Sequence, residues 1–412
     1  MRLAVFTNQF PGRFNTFFAR DMRALIDCGI DVEIFPIYPL DAANWTAVPD
    51  LPGPAVLARQ RVHHLTPAEV ARALPRGAGH ARKSLRIVAA SARYGPLPAA
   101  KAAYAAAYAS AQARRFDGRP FDHVLAYWGN YAASAAYLFH AATQPGVPFS
   151  MFAHARMDLY RHPAYLAQKL LYADNIFVVC EYNRRYLQHH YPKEYPRIAG
   201  RIRVHHLGMP LDQVPFEPEP RPPARLLSVG HLEPLKGFRN LIDAFAVLRS
   251  RGVDAHLELV GDGPERAALQ ARADRLHVAD RVTFHGLLPS AAVLDAMRRA
   301  TILVHPPVSP DAMPTVIKEA MAVGTPVIAS DLAGIPEMLD GGRCGTLVPP
   351  GDVMALTAAI ETVLADPARR RAHAVAARGH MEDRFDLWRN GRLLAERLRA
   401  TTRPALASER PA

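Results

Sequence analysis

Cysteine is scarce: Cys28, Cys180 and Cys344 are the only three in 412 residues, far apart and with no Cys-x-x-Cys pair. That pattern argues against a disulfide framework or a zinc site and suits a reducing cytoplasm. No uninterrupted apolar run approaches the roughly 18 residues of a membrane span, so any membrane contact would be made at its surface. The opening MRLAVFTNQFPGR has one basic residue before a short apolar run and reads as a first β-strand rather than a signal peptide. No Asp-x-Asp occurs, and the tandem histidines at 63–64, 189–190 and 205–206 lack helical metal-ligand spacing. No dedicated metal and no cofactor is expected. Acidic residues are the minority, 38 against 50 Lys and Arg, for a net charge of +12 and a pI near 9.8. This balance favours acidic partners: nucleotide phosphates, anionic lipid or nucleic acid. Nucleic acid fits least, because the basic residues are not interleaved with stacking aromatics or set in a recognisable binding motif.

Apolar runs and helical patterns alternate through the chain. Strands are expected at Leu3–Thr7, 31–37, 123–128, 149–154, 175–180 and 203–208, then again at 225–230, 257–261, 282–286, 302–306, 326–330 and 345–349. Strand, loop, helix, strand is the βαβ unit, whose crossovers build parallel sheets. The fold class is therefore α/β, with two doubly wound, Rossmann-like halves facing across a cleft. PFEPEPRPP at 215–223 carries five prolines among three charged residues and marks the boundary. The expected division is an N-terminal domain 1–214, a linker 215–224, a C-terminal domain 225–380, a helix 381–400 that can pack back on the N-terminal domain, and a disordered tail 401–412. Pro-rich turns at 49–54 precede helical pattern in which Arg76, Arg82, Lys83, Arg86, Arg93 and Lys101 interleave with Leu74, Leu85, Ile87 and Val88. Such a face is either solvated or a basic amphipathic surface for anionic lipid.

The chemistry-bearing segment is PPVSPDAMPTVIKEAMAVGTPVIAS, 306–330. It sets Asp311 in a loop and Glu319 on a short helix. Pro314 has no N–H and suits the first turn, so the helix start offers the Thr315 and Val316 N–H groups to an anion. Gly324 ends the helix where a left-handed residue costs little. Taken alone, both acids could as well face water. Upstream, SVGHLEPLKGF places Lys236-Gly237 at a turn into a helix, where a lysine can set its charge on a diphosphate. LVGDGP at 259–264 and FHG at 284–286 are further glycine-bearing strand ends. Gly12 lets the first loop approach a phosphate or sugar. His154 stands at the carboxyl end of its strand, where open parallel sheets bind ligands, although a lone histidine is as easily a core residue.

VGHLEPLKGF, LVGDGP, FHG, then an acid, seven residues and EAMAVGTPVIAS, in that order, resemble the donor half of GT-B glycosyltransferases of family 4, the glycosyl transferases group 1. With FPGRFNTFFARDMRAL, FAHARMDLY, ADNIFVVCEYNRRYL and HHLGMPLD the likeness covers nearly the whole chain, and its N-terminal pieces resemble the branch that builds bacterial exopolysaccharides of the colanic-acid kind. The resemblance implies a retaining, metal-independent transferase that takes a sugar from a nucleotide sugar such as a UDP- or GDP-sugar. The acceptor would be a glycan or lipid-linked molecule, and the place of action the cytoplasm, peripheral at the inner face of the membrane. It also implies that Glu319 holds the ribose, Asp311 contacts the transferred sugar, and Lys236 with His231 binds the diphosphate. His154 would touch the donor sugar, making His154, Asp311 and Lys236 the catalytic candidates. Gly12, Gly230, His231, Gly261, Asp262, Gly263, His285, Gly286, Met313, Pro314, Thr315 and Val316 complete the donor side. The family usually has Glu at 311, Gly at 312 and Arg at 231, where this chain has Asp311, Ala312 and His231. A sugar-nucleotide epimerase of the same fold and a non-catalytic nucleotide-sugar-binding protein are the alternatives.

Overall fold

Two six-stranded sheets, each wholly parallel, carry the chain's architecture. The structure is a computed structural model and describes residues 1–11, 16–39, 61–73, 77–154, 156–160, 164–218 and 224–401. Gly12, Leu74, Arg76, the turns at 49–54, linker residues 219–223 and tail residues 402–412 lie outside the described residues.

The chain divides into two units, 1–208 with 387–412, and 209–386. In the first, the strands are β1 (Arg2–Thr7), β2 (Asp31–Pro36), β3 (His123–Ala126), β4 (Phe149–Ala153), β5 (Asn175–Val178) and β6 (Ile202–Val204), in the order β2-β1-β3-β4-β5-β6. In the second they are β7 (Arg225–Val229), β8 (His256–Val260), β9 (Val282–Gly286), β10 (Ile302–His305), β11 (Val327–Ser330) and β12 (Thr346–Val348), in the order β12-β11-β10-β7-β8-β9. Strand β6 stops at Val204, short of the 203–208 expectation. The His205 N–H makes a last bond to Val178 O of β5 at 2.8 Å, and His205 Nε2 lies 3.6 Å from the buried Asp21 carboxylate. Each sheet reverses direction of winding once, between β1 and β3 and between β10 and β7. Ligands of open α/β sheets bind outside the carboxyl ends of strands at such switch points.

The helix Leu387–Ala400 belongs to the first unit, against the helix Thr16–Asp27. Gly391 is what allows the contact, since a Cβ there would collide with that of Ala24. Asn390 Nδ2 donates to His206 O at 2.9 Å and Arg397 to Val204 O at 2.9 Å, so the helix is also hydrogen-bonded to the chain around β6. Residues 209–218 lie in the second unit, where Phe216 and Pro218 cover Gly324. All three cysteines are free thiols. Among the described residues, no helix is long and apolar enough to cross a membrane.

Candidate functional site

In the second unit, the four motif segments follow the neighbouring strands β10, β7, β8 and β9, and those after β10 and β7 flank the switch point. Backbone bonds zip the three glycine turns together: Gly230 N–H to Val260 O at 2.9 Å, Leu232 N–H to Asp262 O at 3.0 Å, and Gly261 N–H to Gly286 O at 2.8 Å. The Val308 N–H donates to Leu235 O at 2.9 Å and ties the loop after β10 to the loop after β7.

These loops place Lys236, at the end of a 3-10 turn Pro234–Lys236, in direct ion pair with Asp311. The two side chains are 22% and 28% exposed, so the pair can be reached by a ligand. Two groups assigned to separate jobs by the family resemblance are therefore each other's partner.

The glycines serve the neighbouring backbone. Gly237 has φ +73°, and a Cβ there would run into Pro306 O. Gly261, at φ +133°, faces Gly230 O in the same way, and a Cβ on Gly263 would lie 2.5 Å from Leu232 O. Absence of side chains lets the strand ends approach each other closely enough to form the zipper.

Pro314 stands one residue earlier than the first turn, as the N-cap, and the helix is Thr315–Val323. Its first N–H groups, at Thr315 and Val316, have no carbonyl partner within the helix. Glu319 lies half-buried one turn on, while Ala312 and Met313 are buried. Gly324 adopts φ +86° as the C-cap, and the Thr325 N–H closes the turn on Ala320 O at 2.8 Å. His231 is exposed. Asp262 caps its own loop by accepting from Gly263 N–H at 2.8 Å. The His285 side chain is exposed and lies 2.9 Å from Glu258 in a cross-strand pair on the edge of the sheet.

His305, at the end of β10, carried no signal in the sequence beyond its place in an apolar run. It is 2% exposed, and among the described residues its Nε2 has no hydrogen-bond partner. Burial, with the Lys236 cation adding to it and Asp311 opposing, holds its pKa down at about 4. Such a ring is neutral when folded and takes up a proton near pH 6.5 when unfolded, so folding loses stability as pH falls from about 6.5 to about 4. At about 1.4 kcal/mol per pKa unit the loss is on the order of 3 kcal/mol. His305→Asn should flatten that limb of the stability curve measured by urea unfolding between pH 4 and 7; an unaltered limb would contradict the assignment.

In the first unit, His154 follows β4 and is 4% exposed. Its ring lies among Trp128, Tyr127, Phe152 and Phe17, with centroids 4.6, 5.0, 5.2 and 5.8 Å away. Nε2 donates to Tyr127 O at 2.7 Å.

One grouping of possible metal ligands exists among the described residues: Asp340, Cys344 and His380, whose ligand atoms lie within 4.8 Å of one another. The Asp340 carboxylate is paired with Arg343, His380 Nε2 lies 3.2 Å from Glu337 O, and burial pushes the Cys344 thiol up. These partners compete with any ion.

Residues 212–380 match the family model described as glycosyl transferases group 1. Along its length the chain is similar to an amylovoran biosynthesis glycosyltransferase of Erwinia amylovora, 27% identical over 427 residues that cover 96% of this chain and 98% of the relative. Its fold is similar to that of sucrose-phosphate synthase from Thermosynechococcus elongatus, with a TM-score of 0.72 at 20% identity over 97% of this chain and 98% of the other. It is also similar to that of Anabaena HepE in complex with UDP, with a TM-score of 0.68 at 18% identity over 97% and 99%. Residues 212–380 are thus a glycosyl transferases group 1 domain, and the chain that carries them is a glycosyltransferase of the GT-B fold.

Proposed function

We propose that this glycosyltransferase is a retaining enzyme of bacterial surface-polysaccharide assembly. It takes a sugar from a UDP- or GDP-sugar and gives it to a glycan or lipid-linked acceptor without a metal. The observation that carries the reading is the Lys236–Asp311 pair at the β7/β10 switch point, beside the start of the helix Thr315–Val323. An incoming diphosphate competes for the Lys236 ammonium and releases the Asp311 carboxylate to accept from sugar hydroxyls. The Thr315 and Val316 N–H groups take the developing charge of the leaving diphosphate. Glu319 accepts from the ribose hydroxyls, and His154 contacts the donor sugar. The relative named for amylovoran biosynthesis supports the process, and the UDP complex of HepE supports the donor class.

Contact with an anionic membrane at the inner face is part of the proposal. The helices Gly77–Ala92 and Pro96–Arg115 support it, since they expose Leu85 at 69% and Leu97 at 64% in a stretch that also exposes Arg82, Arg86, Arg93 and Lys101. Apolar side chains set among cations suit an anionic interface.

Calorimetric titration with UDP, GDP, ADP and their sugars, with and without EDTA, tests the donor site. Binding of one diphosphate that EDTA leaves unchanged is expected; absence of binding by all three removes the basis for the reading. Glu319→Ala should weaken that diphosphate by roughly 10-fold or more, the worth of hydrogen bonds to a charged group. An unaltered dissociation constant would count against the ribose role.

A further inference from the structure

A second set of buried charges lies in the first unit. The turn after β3, Trp128-Gly129-Asn130, leads into the helix Tyr131–Thr143. Its backbone is held at both polarities by ionisable side chains. Lys169 Nζ donates to Gly129 O at 2.7 Å and Asn130 O at 3.0 Å, and reaches Ser134 Oγ at 3.3 Å. Burial pushes the Asp158 pKa up and the Gly129 and Asn130 N–H groups beside the carboxylate oppose it, while its Oδ1 makes no hydrogen bond among the described residues. Lys169 is 1% and Asp158 2% exposed, Lys169 with three acceptors and Asp158 with one oxygen bonded and the other without a partner among the described residues. A buried charge left partly unpaired is costly, and replacing such groups by apolar side chains is often neutral or stabilising. Their presence here therefore points beyond stability.

The same carboxylate reaches the histidine. Asp158 Oδ2 accepts from the His154 backbone N–H at 3.1 Å. The His154 carbonyl accepts from Asn183 Nδ2, which also reaches Ala153 O at 3.2 Å, and Tyr160 donates to Asn183 Oδ1 at 2.6 Å. The ring itself donates from Nε2 to Tyr127 O at 2.7 Å, one peptide before the turn that Asp158 and Lys169 hold. A carbonyl only accepts, so Nε2 carries a hydrogen. The backbone of His154 is bonded to the Asp158 carboxylate, and its ring to a carbonyl one peptide before the turn that packs on that carboxylate. Gly129 makes room for it, since a Cβ there would lie 3.2 Å from both Asp158 Cβ and Phe152 O.

We infer that Asp158, with Lys169 as the opposite charge on the same turn, is a positioning residue that holds His154 in one orientation and one tautomer. Its effect on transfer rests on the reading of His154 as a donor-sugar contact. Asp158 acts on the ring through the Tyr127–Asn130 turn and the His154 N–H.

The test uses the full chain labelled with ¹⁵N-histidine, in which the His154 ring is assigned by its loss in His154→Ala. The wild type is expected to show the Nε2–H tautomer, and Asp158→Asn a mixture or a shift to Nδ1–H. Release of nucleoside diphosphate from UDP-glucose and GDP-mannose is read in parallel. Asp158→Asn should cut turnover of the accepted donor at least 10-fold with KM changed less than 3-fold, and should cut it less than 2-fold when His154 is already alanine. A variant that keeps the wild-type tautomer, or an equal loss in both backgrounds, would overturn the inference. Should Asp158→Asn not fold, Lys169→Met, which frees the same turn's carbonyls, is held to the same two readouts. Wild-type turnover by His154→Ala would instead sink the sugar-contact reading, and the tautomer measurement would still decide the role of Asp158.

Discussion

Lys236→Ala is expected to lower donor turnover by about 10²- to 10³-fold, the loss seen when one preorganised partner of a developing charge is removed. The ammonium is brought to the switch point by a short 3-10 turn and held by the bond from Val308 N–H to Leu235 O, so its position does not wait on the ligand. Its removal has a second consequence. Asp311 would lose its ion-pair partner, and an unpaired carboxylate repels the diphosphate that the site has to admit. Affinity and turnover should therefore fall together, whereas the melting temperature should stay close to wild type because the pair is partly exposed and such pairs stabilise little. Kinetics and calorimetry on the same preparation check this; a soluble variant with wild-type turnover would remove Lys236 from the diphosphate.

Gly261→Ala should unfold or nearly unfold the second unit, with a cost above about 4 kcal/mol against about 1 kcal/mol for Gly252→Ala. Both glycines have positive φ, +133° and +80°, so the comparison holds the handedness of the backbone roughly constant. They differ in surroundings: a Cβ on Gly252 meets nothing within 4 Å, and one on Gly261 strikes Gly230 O. Relief would require breaking the zipper that joins the ends of β7, β8 and β9. Urea unfolding of the two variants measures the difference, and equal costs would show that the close approach is not what demands glycine at 261.

The inner strands could be read from the sequence because strands of parallel sheets are buried on both faces and appear as apolar runs, whereas β9, VTFHG, alternates at the sheet edge and β6 is Ile202–Val204 against an expected 203–208. RLLSV, LELV and ILVH need no partner to be recognised. The loop and helix positions of Lys236, Asp311 and Glu319 could be read because strand ends and helix starts are local features. Two things were illegible for the opposite reason. The glycines of LVGDGP and LKGF read as room for a ligand, and the structure gives that room to Gly230 O and Pro306 O, atoms distant in sequence. Asp158 and Lys169 look like ordinary surface charges in RMDLY and LAQKLLY. Only the tertiary fold brings the Gly129–Asn130 peptides to them. His305 was passed over likewise: its neighbours in ILVHP are apolar, and its electrostatic partners come from other loops.

The chain enters the second unit at Met209 and leaves it at Asp386, where the Met209 N–H bonds to Phe385 O at 2.8 Å. The second unit is therefore one continuous piece, and the first is completed only by residues 387–400. On a ribosome adding about 5 to 20 residues per second, the second unit can close while the first still lacks its last helix. Order of synthesis and order of completion are thereby inverted, and for many seconds the earlier-made sheet presents the Ala24 face of its helix with nothing from 387–400 to cover it.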